Sequence, residues 1–143
     1  MPDERRFRSS LMCGHRYRNA PLAIDWLCRA FGFERHAVYQ GPNGTIAHAE
    51  LALGGGMIFV ASMNDTAFAS LIKQPDEIGG AETRNVYLCV ADADEVYVRA
   101  KGAGAEIVIE LQDASYGGRG FTCRDLEGRL WSVGTYDPWQ APR

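Results

Sequence analysis

His48 and Glu50 stand two residues apart in Thr45 to Leu53, a segment that alternates like a strand. Residues i and i+2 of a strand project from one face, so an imidazole and a carboxylate lie side by side there. That pair can act as a base with its orienting partner or as a proton shuttle. It serves equally as plain hydrogen bonding on a polar surface or at a subunit contact. Tyr116-Gly117-Gly118-Arg119-Gly120 joins glycines that admit a ligand or a lid motion to an arginine able to meet an anion; a simple hairpin needs the same residues. It is no phosphate loop, because the G-x-x-x-x-G-K-S/T pattern is absent. Phe59, Tyr136 and Trp139 offer rings on which a flat ligand can stack, and Trp139 has the alternative of packing the C-terminal end onto the body. Tyr87 and Cys89 share a predicted strand face with Asn85. Cys89 acts as a nucleophile only beside a base or a positive field, and otherwise packs.

The elements that must position these groups come in the same order twice. Leu11 to Tyr17 reads as a strand, and Asn19 caps a helix with Pro21 in its first turn and Ile24, Leu27, Cys28 and Phe31 as its buried stripe. Gly32 ends it. Strands follow at Arg35 to Tyr39, Thr45 to Leu53 and Met57 to Ala61, the first two joined by the turn Gly41-Pro42-Asn43-Gly44. The middle strand is expected to bury Ala47, Ala49, Leu51 and Leu53 and to carry Ile46, His48, Glu50 and Ala52 on its other face. After a connector with a short helical stretch at Ala67 to Ile72, a strand at Asn85 to Val90 leads to a helix ending near Lys101, with Asp92 and Glu95 placed as a capping box. Glu106 to Leu111, Phe121 to Arg124 and Leu130 to Thr135 complete a second βαβββ unit.

The two units lie about 72 to 73 positions apart, a weak repeat in identity but a steady one in pattern. Phe31-Gly32-Phe33-Glu34 returns as Ala103-Gly104-Ala105-Glu106, and Gly54-Gly55-Gly56-Met57-Ile58-Phe59-Val60 as Leu126-Glu127-Gly128-Arg129-Leu130-Trp131-Ser132-Val133. A unit of this size cannot bury a sheet alone, so two modules are expected around a concave surface that can hold a ligand. We expect one domain over 1–143, with modules at about 10–63 and 84–139 and a connector at 64–83.

Composition narrows the function. The 143 residues are 46% hydrophobic, enough for a core, and the net charge of −3 gives no footprint for nucleic acid or an acidic membrane. The basic Arg5-Arg6-Phe7-Arg8 reads as a solvated tail with no apolar run behind it, and no stretch of about 18 apolar residues occurs, so a cytoplasmic protein is expected. Cys13, Cys28, Cys89 and Cys123 contain no C-x-x-C pair and read as buried free thiols; with His15, His36 and His48 equally scattered, no structural zinc is expected.

The duplicated βαβββ order, Phe31-Gly32-Phe33 after the first helix and Arg124-Asp125-Leu126-Glu127-Gly128 before the last strand resemble the vicinal oxygen chelate superfamily of glyoxalases, bleomycin-resistance proteins and dioxygenases. Trp26-Leu27-Cys28-Arg29-Ala30-Phe31-Gly32-Phe33, Tyr116-Gly117-Gly118-Arg119 and Gly134-Thr135-Tyr136-Asp137-Pro138-Trp139 look like its bacterial glyoxalase-like subgroup. The resemblance spans nearly the whole chain. It implies an α+β fold of two βαβββ modules whose sheets form a half-open cup, usually in a homodimer. The metal enzymes it resembles place four ligands, commonly His, Gln or Glu, on the first and fourth strand of each module. Those positions fall here on Met12, Phe59, Asn85 and Ser132, which do not make a divalent-metal site. A slip of one residue, to Cys13, Ile58 or Val60, Val86, and Trp131 or Val133, is no better. No metal is therefore expected.

Arg16 matches a position that in glyoxalases helps hold an anionic group, or it is a salt-bridged rim residue. The expectation is a metal-independent binding protein with a ligand among Arg16, Phe59, Asn85, Tyr87, Tyr116, Arg119, Ser132 and Trp139, in a cup shared by a homodimer. The alternative is a lyase, isomerase or dioxygenase using His48 and Glu50 as acid and base or as atypical metal ligands.

Overall fold

Alternating burial along most of the strands gives each of two sheets one face for the core and one for solvent. The computed structural model describes residues 10–140, so the basic segment at residues 5–8 lies outside them. The first module comprises β1 (Cys13–Tyr17), α1 (Ala20–Phe31), β2 (Glu34–Gln40), β3 (Ile46–Leu53) and β4 (Gly56–Ser62). The second comprises β5 (Val86–Cys89), α2 (Ala93–Gly102), β6 (Glu106–Asp113), β7 (Arg119–Arg124) and β8 (Leu130–Gly134). The sheets run β1-β4-β3-β2 and β5-β8-β7-β6, with β1 parallel to β4 and β5 parallel to β8. This is the α+β architecture expected from the repeat. In the connector the expected helical stretch is only a 3₁₀ turn at Ala69–Leu71, and another follows at Pro75–Ile78.

Local chemistry fixes the helix ends. Asn19 Oδ1 accepts from Leu22 N–H at 3.2 Å, Pro21 occupies the first turn, and Gly32 closes α1 at φ 89°, a left-handed conformation that costs glycine little. Both ends of α1 are completed by the second module. Glu127 accepts from the N–H groups of Arg18 at 2.8 Å and Asn19 at 2.9 Å, where the helix dipole is positive. At the other end Arg99 donates to the carbonyls of Arg29 at 2.7 Å and Cys28 at 3.3 Å. Asp92 caps α2 through Glu95 N–H at 3.1 Å, but the reciprocal pair of bonds that defines a capping box forms at Gln74 and Glu77 instead.

One core serves both modules. Trp131 of β8 is fully buried, with its ring 5.3 Å from Phe31, 6.0 Å from Phe33 and 5.0 Å from His15. Asp125 anchors it: one carboxylate oxygen accepts from Tyr17 Oη–H at 2.6 Å and Trp131 Nε1–H at 3.0 Å, the other from the N–H groups of Glu127 and Arg129 at 3.0 Å each. A buried carboxylate with four donors is stable where an unpaired one would be costly. Beside it, Arg129 pairs with Glu82 of the connector at 3.0 Å, both nearly buried.

Two expectations about burial need correction. Tyr39 pairs with His48 and Gln40 with Ile46, so Ala47 is the extra residue of a bulge. The bulge turns Ile46 into the core and Ala47 out to solvent, while Ala49 and Leu51 stay inside and His48 and Glu50 outside. Of the cysteines only Cys123 is buried, Cys13 and Cys28 being half-buried and Cys89 exposed; all are free thiols.

Candidate functional site

The candidate side chains stand on the outward faces of the two sheets. On the first, Phe59 sits between the buried Ile58 and Val60 and is therefore turned outward. Glu50 is its cross-strand partner, and the His48 ring lies 5.0 Å from Phe59 and 6.0 Å from Tyr39. His48 Nε2 is 3.0 Å from Glu50 Oε2, the side-by-side arrangement expected from their spacing. His36, not singled out from the sequence, brings its Nε2 to 4.0 Å from the other oxygen of Glu50. Arg16 is on this face too, but its guanidinium donates to Ser62 O at 3.0 Å and covers the Phe68 ring at 5.3 Å. Among the described residues it is bound to a backbone carbonyl and a ring, and no carboxylate makes a rim salt bridge with it.

On the second sheet Asn85, Tyr87, Ser132 and Thr122 share the outward face. Ser132 Oγ is within 3.3 Å of Asn85 Nδ2 and 3.0 Å of Thr122 Oγ1. Tyr87 reaches across β8 and donates to Tyr136 O at 2.7 Å. Gly134 makes room for it, since a Cβ there would stand 2.8 Å from the Tyr87 hydroxyl. Burial raises the Tyr87 phenol above its usual range, with smaller contributions from Cys89 and Tyr116, so it remains a donor. Partial desolvation by its neighbours and the negative charge of Asp137 raise the exposed Cys89 thiol as well, the opposite of nucleophile activation.

Thr122 and Ser132, without Asn85, line the floor of a cleft of about 400 Å³ walled by Tyr87, Tyr116 and Tyr136, with Ile109, Gln112 and Arg119 at its sides. The Tyr116 and Tyr136 rings meet edge to face at 5.1 Å. Arg119 lines the cleft, yet it is held by Asp94 at 3.1 Å and Asp113 at 3.3 Å, so two carboxylates already occupy the guanidinium that was expected to meet an anion. Trp139 stands 89% exposed and lines neither this cleft nor its neighbour, contrary to either expected use. Gln112, Thr122 and Ile109 were missed; Thr122 is marked in the sequence by its apolar, buried neighbours Phe121 and Cys123, whereas the strand holding Ile109 and Gln112 carries no such alternation.

A duplicated βαβββ chain with two open sheet faces, one of them hollowed into a cleft, is a scaffold of the class that places ligands on the concave sides of paired sheets. Residues 12–133 match the Glyoxalase/Bleomycin resistance protein/Dioxygenase superfamily, and the chain belongs to that superfamily. It is similar to TioX from Micromonospora sp. ML1, at 36% identity and a TM-score of 0.70 over 89% of this chain and 98% of that one. It is also similar to Mb0911c of Mycobacterium bovis, 32% identical over 119 residues that span 81% of this chain and 76% of the relative. The fosfomycin resistance protein FosX from Listeria monocytogenes, solved with Mn(II) and 1S,2S-dihydroxypropylphosphonic acid, shares the fold at 16% identity and a TM-score of 0.66, over 93% of this chain and 94% of that one.

The four positions at which the resemblance puts metal ligands are Met12, Phe59, Asn85 and Ser132. The strand registers keep the repeat: Gly14 pairs with Phe59 and Tyr87 with Ser132, so Met12 and Asn85 lie two residues before equivalent points. Their donor set is a thioether, a phenyl ring, an amide and a hydroxyl, and the last two are bonded to each other. A phenyl ring has no lone pair to give, and neither anionic oxygen nor imidazole is present, so these residues do not fit a catalytic divalent ion. Among the described residues no group of three or more His, Cys, Asp or Glu side chains is placed to hold a metal.

Proposed function

We propose that this chain is a metal-independent small-molecule-binding protein that holds a planar ligand in the tyrosine-walled cleft of its second sheet. The cleft itself carries the reading: about 400 Å³ is drug-sized, three aromatic walls favour a flat ring, and Thr122, Ser132 and Gln112 supply the few polar groups that orient one. The phenyl ring of Phe59 at one of the four superfamily ligand positions supports independence from metal.

The open outward face of the first sheet, with Tyr39, Phe59, His48 and Glu50, supports a second copy as the closing wall of the cup. The ligand is then enclosed between the second module of one copy and the first module of its partner, in a homodimer. A second reading, a lyase, isomerase or dioxygenase, draws on one observation: the 3.0 Å contact between His48 and Glu50 on that same face, a usable base and its orienter.

Protein purified without chelator is expected to carry no stoichiometric metal and to bind 2-naphthalenemethanol, with NMR shifts at Tyr87, Tyr116 and Tyr136. His48→Ala and Glu50→Ala are expected to leave metal content unchanged. Stoichiometric metal that disappears in those two variants would overturn metal independence, and a monomer in sedimentation equilibrium would remove the shared cup.

A further inference from the structure

Charge in and around the cleft is distributed unevenly. Arg119 is the one cationic side chain lining it among the described residues, and Asp94 and Asp113 together outnumber it two to one. Its hydrogen bond to Asp94 is the first cause that raises the guanidinium's already high affinity for its proton, so it stays charged and stays engaged. Next to the cleft lies a second hollow of about 370 Å³ that contains Asp137, Thr135 and Gln140. Asp137 accepts from Trp139 N–H at 2.9 Å and has no salt-bridge partner among the described residues.

Tyr116, Gly117 and Tyr136 line both hollows, so the Tyr116–Tyr136 pair is a wall shared between them. Gly117 at φ 119° and Gly118 at φ 76° carry Tyr116 on a hairpin tip that only glycine adopts readily, and the ring is 69% exposed. A ring lodged in the first hollow is therefore one aromatic wall away from the Asp137 carboxylate, with which no cation among the described residues pairs. Tyrosine faces attract cations through the ring quadrupole, and a carboxylate behind them adds to the same preference.

We propose that the cleft selects aromatic cations: the ring lies among Tyr87, Tyr116 and Tyr136, and an attached ammonium passes Tyr116 to reach Asp137. This rests on the reading of the cleft as the ligand site and adds the charge of the ligand to it. Three probes of matched shape test the two separately by NMR titration: 2-naphthylmethylammonium, neutral 2-naphthalenemethanol and anionic 2-naphthoate. The cation is expected to bind about three- to tenfold more tightly than the alcohol, with the carboxylate weakest. Asp137→Asn is expected to erase that advantage while leaving the alcohol's affinity as it was, which also shows that the cleft has stayed folded. Tyr116→Ala is expected to weaken all three.

Equal affinities, or a preference for the carboxylate, would overturn the charge selection while keeping the cleft as a binding site. A cation preference that survives Asp137→Asn would overturn the part given to Asp137. Failure of all three probes to bind would overturn the binding reading itself.

Discussion

Gly134 shapes the cleft through what it lacks. Because it has no Cβ, the Tyr87 ring lies across β8 and donates to Tyr136 O, fixing one aromatic wall. Gly134→Ala is expected to push Tyr87 off that position at a cost of about 1 kcal/mol in stability, a single exposed hydrogen bond, while weakening 2-naphthalenemethanol binding several-fold. Thermal melts beside the NMR titration check the difference, and unchanged binding would mean Tyr87 is no wall. This part of the site could not be read from the sequence. His48 and Glu50 could, because a spacing of two on one strand needs only the strand. Tyr87 above Gly134 joins β5 to β8, and the engagement of Arg119 by Asp94 joins β7 to α2; neither pairing leaves a local pattern.

Among the elements, α1 shows how far local signals reach. Asn19, Pro21 and Gly32 mark its start and end in the sequence, and the structure uses all three. Its outer bonds to Glu127 and Arg99 were illegible, since they come from another module. The bulge at Ala47 was illegible for a similar reason: strict alternation put Ile46 outside, and only the register against β2 reveals the extra residue. Glu127→Ala and Arg99→Ala are each expected to lower stability by about 1 kcal/mol, as loss of a charge-assisted cap does. Urea unfolding measures both. The two effects should add, because the residues act on opposite ends of the helix. A value near zero for either would show that water replaces it.

For the whole molecule, the buried join between modules makes stability depend on pH. His15 packs against Trp131, and its pKa is pulled from the usual 6.5 to about 3, first by burial and then by the positive charges of Arg129 and Arg84. Between those values the unfolded chain takes up a proton that the folded chain refuses, so stability is full above pH 6.5 and falls as the pH drops toward 3. The slope from this one group is at most about 1.4 kcal/mol per pH unit. His15→Gln is expected to unfold less steeply with acid than the parent in urea titrations from pH 6.5 to 4, and equal slopes would show that the imidazole does not titrate with folding. The completion of α1 by Glu127 and Arg99 bears on how copies meet. A module traded between two chains would have to give up or rebuild four bonds at the ends of that helix. The chain should therefore enter any assembly as an undivided pair, and a backbone cut near Ala67 should leave two pieces that still migrate as one particle.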